Sequence, residues 1–170
     1  MHSIVLIGMM GSGKTTISRD LAGRSSFSFI DIDSRLEQQE GLKISEIFSQ
    51  FGEHYFRQLE SRFLHSLVGT KNSVISTGGG IVLLEENRSV LKSLGRVYFL
   101  RATETTLYAR LKHDTSRPLL HEKDPLSSIQ HLISQRYPLY ESVSDVIMDV
   151  DTLSPFEVST QIWAEFLAHK

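Results

Sequence analysis

Ile4-Val5-Leu6-Ile7 runs without a break into Gly8-Met9-Met10-Gly11-Ser12-Gly13-Lys14-Thr15. The first four residues form an apolar run of strand length, and the next eight match G-x-x-x-x-G-K-[ST]. Glycines allow a tight backbone turn whose N–H groups point inward, and the helix that follows adds partial positive charge at its N-terminus. Such a loop cradles the phosphates of a nucleotide. Lys14 is placed to reach the β- and γ-phosphates, and the Thr15 hydroxyl to ligate Mg²⁺. Gly11, Ser12, Gly13, Lys14, Thr15 and Thr16 are the expected ATP contacts. The bland alternative, a glycine-rich turn with an exposed lysine, does not explain why every position of the pattern is met between a strand and a helix.

Apolar runs of strand length recur at 27–30, 74–76, 97–100 and 146–150. They are mostly continuous rather than alternating, as in strands covered on both faces of a parallel sheet. Between them lie helical patterns at 15–23, ending on a glycine, and at 84–94, 104–112, 126–136 and 156–168. Phe56, Leu59, Phe63, Leu64 and Leu67 form an apolar stripe on another helix. Ser154-Pro155 reads as a cap and first position for the last helix. This alternation predicts an α/β, three-layer αβα fold with a parallel sheet and one domain over 1–170.

The chain has 170 residues, 40% hydrophobic and 22% charged, which is globular composition. A net charge of -2 gives no electrostatic reason to expect nucleic acid as a partner. The absence of cysteine excludes disulfides and thiolate metal sites and fits a reducing compartment. Met1-His2-Ser3 leads straight into a run too short for a signal sequence, and no stretch has the apolar length of a membrane span. A soluble, cytoplasmic protein is expected, with no membrane partner.

Asp31-Ile32-Asp33 follows the second strand, near the carboxyl edge where α/β sheets bind ligands. In an extended segment, residues two apart face the same way. One of the two can then hold Mg²⁺ through water while the other accepts a proton from an attacking hydroxyl; alternatively, Asp33 caps a helix starting at Ser34. Arg57 and Glu60 are three apart on a helix, so the carboxylate can fix the guanidinium toward an anion. A surface ion pair is the simpler alternative. Gly78-Gly79-Gly80 puts bare backbone after the third strand. Arg117, in an exposed polar stretch, has the placement of a lid arginine. Arg136 stands before Pro138, where it either points into a cleft or ends a helix. The seven histidines show no metal-ligand spacing. A guanine-reading Asn-Lys-x-Asp is absent, which argues against a GTPase.

Taken together, these residues resemble the shikimate kinase family, of the nucleoside-monophosphate-kinase-like P-loop fold. The likeness runs nearly end to end, through the phosphate loop, Asp31-Ile32-Asp33, Gly52-Glu53, Phe56-Arg57-x-x-Glu60, Gly78-Gly79-Gly80, Arg117-Pro118-Leu119-Leu120 and Arg136-Tyr137-x-x-Tyr140. It implies five parallel strands in the order 2-3-1-4-5, a substrate-binding part at about 33–61 and a lid at about 112–124. It implies transfer of the ATP γ-phosphoryl group to the 3-hydroxyl of shikimate, on the route to chorismate and the aromatic amino acids. In the catalytic set are Lys14, Asp33 and Arg117. Asp33, Arg57, Gly79, Gly80 and Arg136 would bind shikimate, and Thr15 and Asp31 would serve Mg²⁺. Arg117 would reach the ATP from the lid, while Arg110 and Pro155 match positions that flank adenine. A monomer is expected. The residues alone reach a kinase of a small, hydroxylated, anionic acceptor, which leaves a gluconate-type kinase or a non-catalytic nucleotide-binding module open.

Lys14→Ala is expected to lower kcat by orders of magnitude while the fold survives. Near-normal turnover, measured beside an unchanged circular dichroism spectrum, would remove the phosphate-loop assignment.

Overall fold

In a computed structural model, residues 3–112 and 124–169 are described. Strands β1 (Ser3–Ile7), β2 (Ser28–Asp31), β3 (Ser73–Ser76), β4 (Gly95–Arg101) and β5 (Val146–Asp149) form one sheet in the order β2-β3-β1-β4-β5. All its pairings are parallel. Between the strands run α1 (Lys14–Ser25), α2 (Ile32–Glu40), α3 (Ile44–Ser66), α4 (Glu85–Leu94), α5 (Glu104–Leu111), α6 (Pro125–Val143) and α7 (Pro155–Ala168); a 3₁₀ turn spans Ile81–Leu83. Strand order and layers match the expectation. The continuous apolar runs are the buried central strands: every residue of β1 and β3 is buried. At the edges, β2 and β5 are half-exposed.

This order matters because it sets three carboxyl ends side by side. Ser76, the last residue of β3, pairs with Asp31 at the end of β2 on one side and with Leu6 of β1 on the other. The phosphate loop, the triple glycine and Asp31 therefore emerge along one edge, where α/β sheets bind ligands.

Three local expectations are corrected. Helix α1 does not stop at Gly23; it continues to Ser25, and Ser26 supplies the left-handed cap. A glycine within an otherwise good pattern weakens a helix without ending it. Asp33 does not cap α2, because Asp31 does so, its carboxylate accepting from Ser34 N at 3.0 Å. The helix thus starts at Ile32 and Asp33 lies in its first turn, not on an extended strand. Pro138 does not end α6, which runs on to Val143. The far half is anchored by Tyr137, whose hydroxyl donates to Ala102 O, and by the Tyr140 ring, 4.9 Å from that of Phe99. Tertiary packing here outweighs the lost backbone bond.

Helix α3 bends at Gly52, whose φ of 81° and ψ of 170° are open to glycine and strained for other residues. Beyond the bend, Phe56, Leu59 and Leu64 are buried as the stripe predicted. No helix among the described residues is long and apolar enough to cross a membrane.

Ser154 caps α7 as expected, and Glu157 completes a capping box by accepting from Ser154 N at 2.8 Å. Ser154→Ala is expected to cost about 1 kcal/mol, read as a lower urea midpoint at constant slope.

Candidate active site

The phosphate loop owes its shape to its sequence. Gly13 has φ 95°, a left-handed conformation, and its carbonyl accepts the first α1 bond, from Ile17 N at 3.0 Å. Lys14 is buried and donates from Nζ to Gly8 O and Met9 O, both at 2.8 Å, so its ammonium is held over the loop's own backbone. Thr15 Oγ1 donates to Asp31 Oδ2 at 2.8 Å. The other Asp31 oxygen is the α2 cap. Hydroxyl and carboxylate, sixteen residues apart, thus meet beside the loop. Among the described residues no cluster of three or more His, Asp or Glu could by itself hold a metal ion. Mg²⁺ needs no such cage: it commonly takes one or two protein oxygens, with substrate phosphates and water completing its shell. The Thr15–Asp31 pair fits that requirement.

The second half of the site gathers on the glycines after β3. None of the three is left-handed; what they provide is space. A Cβ on Gly78 would stand 2.5 Å from Glu60 Oε1 and 2.8 Å from Asp33 Oδ1. One on Gly79 would lie 3.6 Å from Arg136 Nη1, and one on Gly80 would overlap the Arg57 guanidinium. Asp33 from α2, Arg57 and Glu60 from α3, and Arg136 from α6 therefore converge on a stretch of bare backbone. The structure brings together the whole set named from sequence for the acceptor.

Arg57 is held by two carboxylates. Its Nη1 donates to Glu60 Oε2 at 2.8 Å, while Nε and Nη2 donate to Glu53 Oε1 at 3.2 and 3.1 Å. This is no solvated surface pair, because the Glu60 side chain has 0% exposure and that of Arg57 14%. Arg136 is only 6% exposed, and its Nε has no hydrogen-bond partner among the described residues. A buried guanidinium with spare donors calls for an anion. Sequence reasoning left it between a cleft residue and a helix end; it is buried, and α6 runs on past it to Val143.

Burial raises the Glu60 carboxyl, Arg57 draws it part of the way back and neighbouring Asp33 adds to the rise, which leaves it at about 7. One cavity of about 200 Å³ joins the two halves, lined among others by Met10, Lys14, Thr15, Asp33, Thr77 and Gly79.

Arg110 lies further out. It donates to Gly11 O at 3.2 Å and to Val150 O at 3.0 Å, tying α5 to the phosphate loop and to the segment leading to Pro155. Arg117 and nearly all of the expected lid lie outside the described residues. Three polar residues beside the glycines were not singled out from sequence: Ser61, Asn87 and Tyr140, of which only Tyr140 stood within a quoted motif. A lone buried Asn or Ser leaves no periodic signal.

A phosphate loop opening α1, a five-stranded parallel sheet in this order and buried arginines at the same edge define a P-loop kinase. A family model described as shikimate kinase matches residues 10–167. The shikimate kinase of Thermodesulfovibrio yellowstonii is 43% identical over 166 residues, 98% of this chain and 95% of that protein. The solved shikimate kinase from Acinetobacter baumannii, in complex with shikimate, superposes with a TM-score of 0.95 at 33% identity, covering 100% of this chain and 95% of that one. A gluconokinase from Sinorhizobium meliloti, at 20% identity and TM-score 0.63 over 99% of this chain and 93% of its own, shares the fold. The chain belongs to the shikimate kinase family.

The raised Glu60 pKa has a sign that can be checked. The folded state keeps a proton on Glu60 that the unfolded chain, with its ordinary value of 4.5, releases as pH rises. Its stabilising contribution is complete below about pH 4.5 and is lost as pH rises through about 7. Glu60→Gln, which cannot ionise, is expected to remove about 3 kcal/mol of this pH dependence between those limits. Equal slopes of denaturant stability against pH in the two proteins would refute the assignment.

Proposed function

We propose the following division of labour for the phosphorylation of shikimate, the activity of the family to which this chain belongs. The acceptor sits against Gly79 and Gly80 with its carboxylate between Arg57 and Arg136. Its 3-hydroxyl faces Asp33. ATP lies along the phosphate loop from Gly11 to Thr16, with Lys14 on the β- and γ-phosphates and adenine between Arg110 and Pro155. The observation that carries this reading is the single cavity lined by Lys14 and Thr15 on one side and by Asp33 and Gly79 on the other. Donor and acceptor in that space need not diffuse to meet, and orientation is a large part of what a phosphoryl transferase supplies.

Asp33 accepts the proton as the hydroxyl oxygen attacks the γ-phosphorus. Lys14 stabilises the charge on the transferring group and on the departing ADP oxygen, and Arg117 adds to that stabilisation from the lid. Thr15 and Asp31 would hold Mg²⁺, which supplies charge neutralisation at the β- and γ-phosphates. Residues 33–61 are the substrate-binding part and residues 112–124 the lid of one kinase domain. The protein works as a cytoplasmic monomer, with no nucleic acid or membrane partner.

Coupled ADP release with ATP·Mg²⁺ tests the acceptor directly, with shikimate, gluconate and AMP run in parallel. Turnover with shikimate alone is expected; turnover with gluconate or AMP instead would refute the acceptor assignment while leaving the P-loop kinase. Arg57→Ala is expected to raise the shikimate KM at least about tenfold, as loss of a charge-assisted pair implies. A change confined to the ATP KM would show the clamp to be misplaced. Asp33→Asn is expected to suppress transfer with ATP binding intact, and full activity would remove its role as base.

A further inference from the structure

Two buried polar side chains outside the clamp bind the backbone of the glycine loop from behind. Tyr140, with 0% exposure, donates its hydroxyl to Gly79 O. Asn87, also at 0%, donates from Nδ2 to Ile81 O at 3.0 Å and accepts from Ser61 Oγ at 2.7 Å. Ser61 directly follows Glu60 on α3, and Tyr140 lies one helical turn after Arg136 on α6. The loop is therefore keyed to both helices that carry the arginine clamp.

Peptide planarity turns the Tyr140 bond into an aiming device. The Gly79 carbonyl and the Gly80 N–H belong to one plane and point in opposite directions. A donor fixed on Gly79 O therefore directs the Gly80 N–H away from α6. Among the described residues no backbone carbonyl accepts from the N–H of Gly79 or Gly80, which leaves both for a ligand. The Gly78 and Gly80 carbonyls accept from Ile81 N and Leu83 N within the turn, at 3.3 and 3.0 Å, so the Gly79–Gly80 peptide is the one whose rotation is set from outside the loop.

We propose that Tyr140 and Asn87 are positioning residues for the acceptor: Tyr140 holds the Gly79–Gly80 peptide at the rotation in which the Gly80 N–H meets shikimate, Asn87 anchors the Ile81 end of the loop, and Ser61 locks that loop to the helix bearing Arg57. The inference rests on the assignment of the acceptor to Asp33, Arg57, Arg136 and the glycines. The phosphate loop touches Gly79 at Met10 and Gly8 but has its own supports in Lys14 and Arg110, so the effect on ATP affinity is expected to be the smaller one.

The test is steady-state kinetics of Tyr140→Phe, Asn87→Ala, Ser61→Ala and Ser61→Thr in the full chain, with shikimate and ATP varied separately. Tyr140→Phe keeps the ring packed on Phe99 and removes the hydroxyl's bonds to Gly79 O and to the Arg136 side chain. It is expected to raise the shikimate KM about three- to tenfold, the range of the neutral bond to Gly79 O, with the ATP KM within about twofold of the parent. Ser61→Ala shows a smaller rise in the same direction, and Ser61→Thr, which keeps the hydroxyl, restores the parent value. If Asn87→Ala does not fold, the Tyr140 and Ser61 variants carry the test. A lower melting temperature with both KM values unchanged would make the network merely structural and overturn the proposal. Arg57→Ala run alongside separates the two layers. If it leaves the shikimate KM unchanged, the acceptor assignment itself fails; if it raises that KM while Tyr140→Phe does not, only the positioning inference fails.

Discussion

A carboxylate with no exposed surface has to be answered by its surroundings, and Glu60 organises the acceptor half of this molecule for that reason. Moving an ion from water into a protein interior costs several kcal/mol unless partners replace the lost hydration. Arg57 answers one oxygen from its own helix, and the other lies against Gly78 beside Asp33. Had β3 been followed by residues with side chains, neither Glu60 nor Arg57 could occupy its place. The bare backbone and the buried ion pair thus require each other, and the resulting enclosure is polar, tight and positively charged on the side of Arg57 and Arg136.

Such a concentration of charge would be unsupported without apolar packing behind it. Phe56, Leu59 and Leu64 bury one face of α3, and Phe56 stacks 4.9 Å from Phe48 across the bend at Gly52. Burying side chains of this size stabilises by about 1.5–3 kcal/mol each, enough to fix the rotation of the helix about its axis. Once the apolar face is down, Arg57 has one direction left. The same holds for α6, where Tyr137 and Tyr140 pack on Phe99 of β4 and turn Arg136 inward. Hydrophobic faces choose the orientation, and the charged residues one turn along inherit it.

How far the molecule could be read from its residues follows from the range of each signal. The phosphate loop was legible because strand, glycines, lysine and helix are contiguous, so every contact that shapes them is local. The sheet was legible as continuous apolar runs, although its order came from family resemblance and not from periodicity. Asp31 and Asp33 were found but misassigned in detail: a capping bond from Asp31 starts α2 two residues early, so the pair is not an extended one. Pro138 misled because its backbone cost is local while the packing that outweighs it is 35 residues away, at Ala102. Ser61 and Asn87 were invisible for the same reason. They meet across 26 residues, and a single buried polar residue has neither a repeat nor a motif to announce it.

Donor and acceptor share an edge of the sheet, yet they are fixed by different parts of the chain. The phosphate loop depends on β1, on its own carbonyls around Lys14 and on Arg110 from α5. The residues proposed for the acceptor depend on β3, α2, α3 and α6. The two systems meet at the cavity where Lys14 and Thr15 face Asp33 and Gly79, and at Asp31, which accepts from Thr15 and caps the helix of Asp33. This separation lets one fold keep its nucleotide chemistry while the faces of two helices decide what is phosphorylated. What a P-loop kinase accepts is then set less by the loop that names it than by which charged side chains a neighbouring stretch of glycine allows to come close.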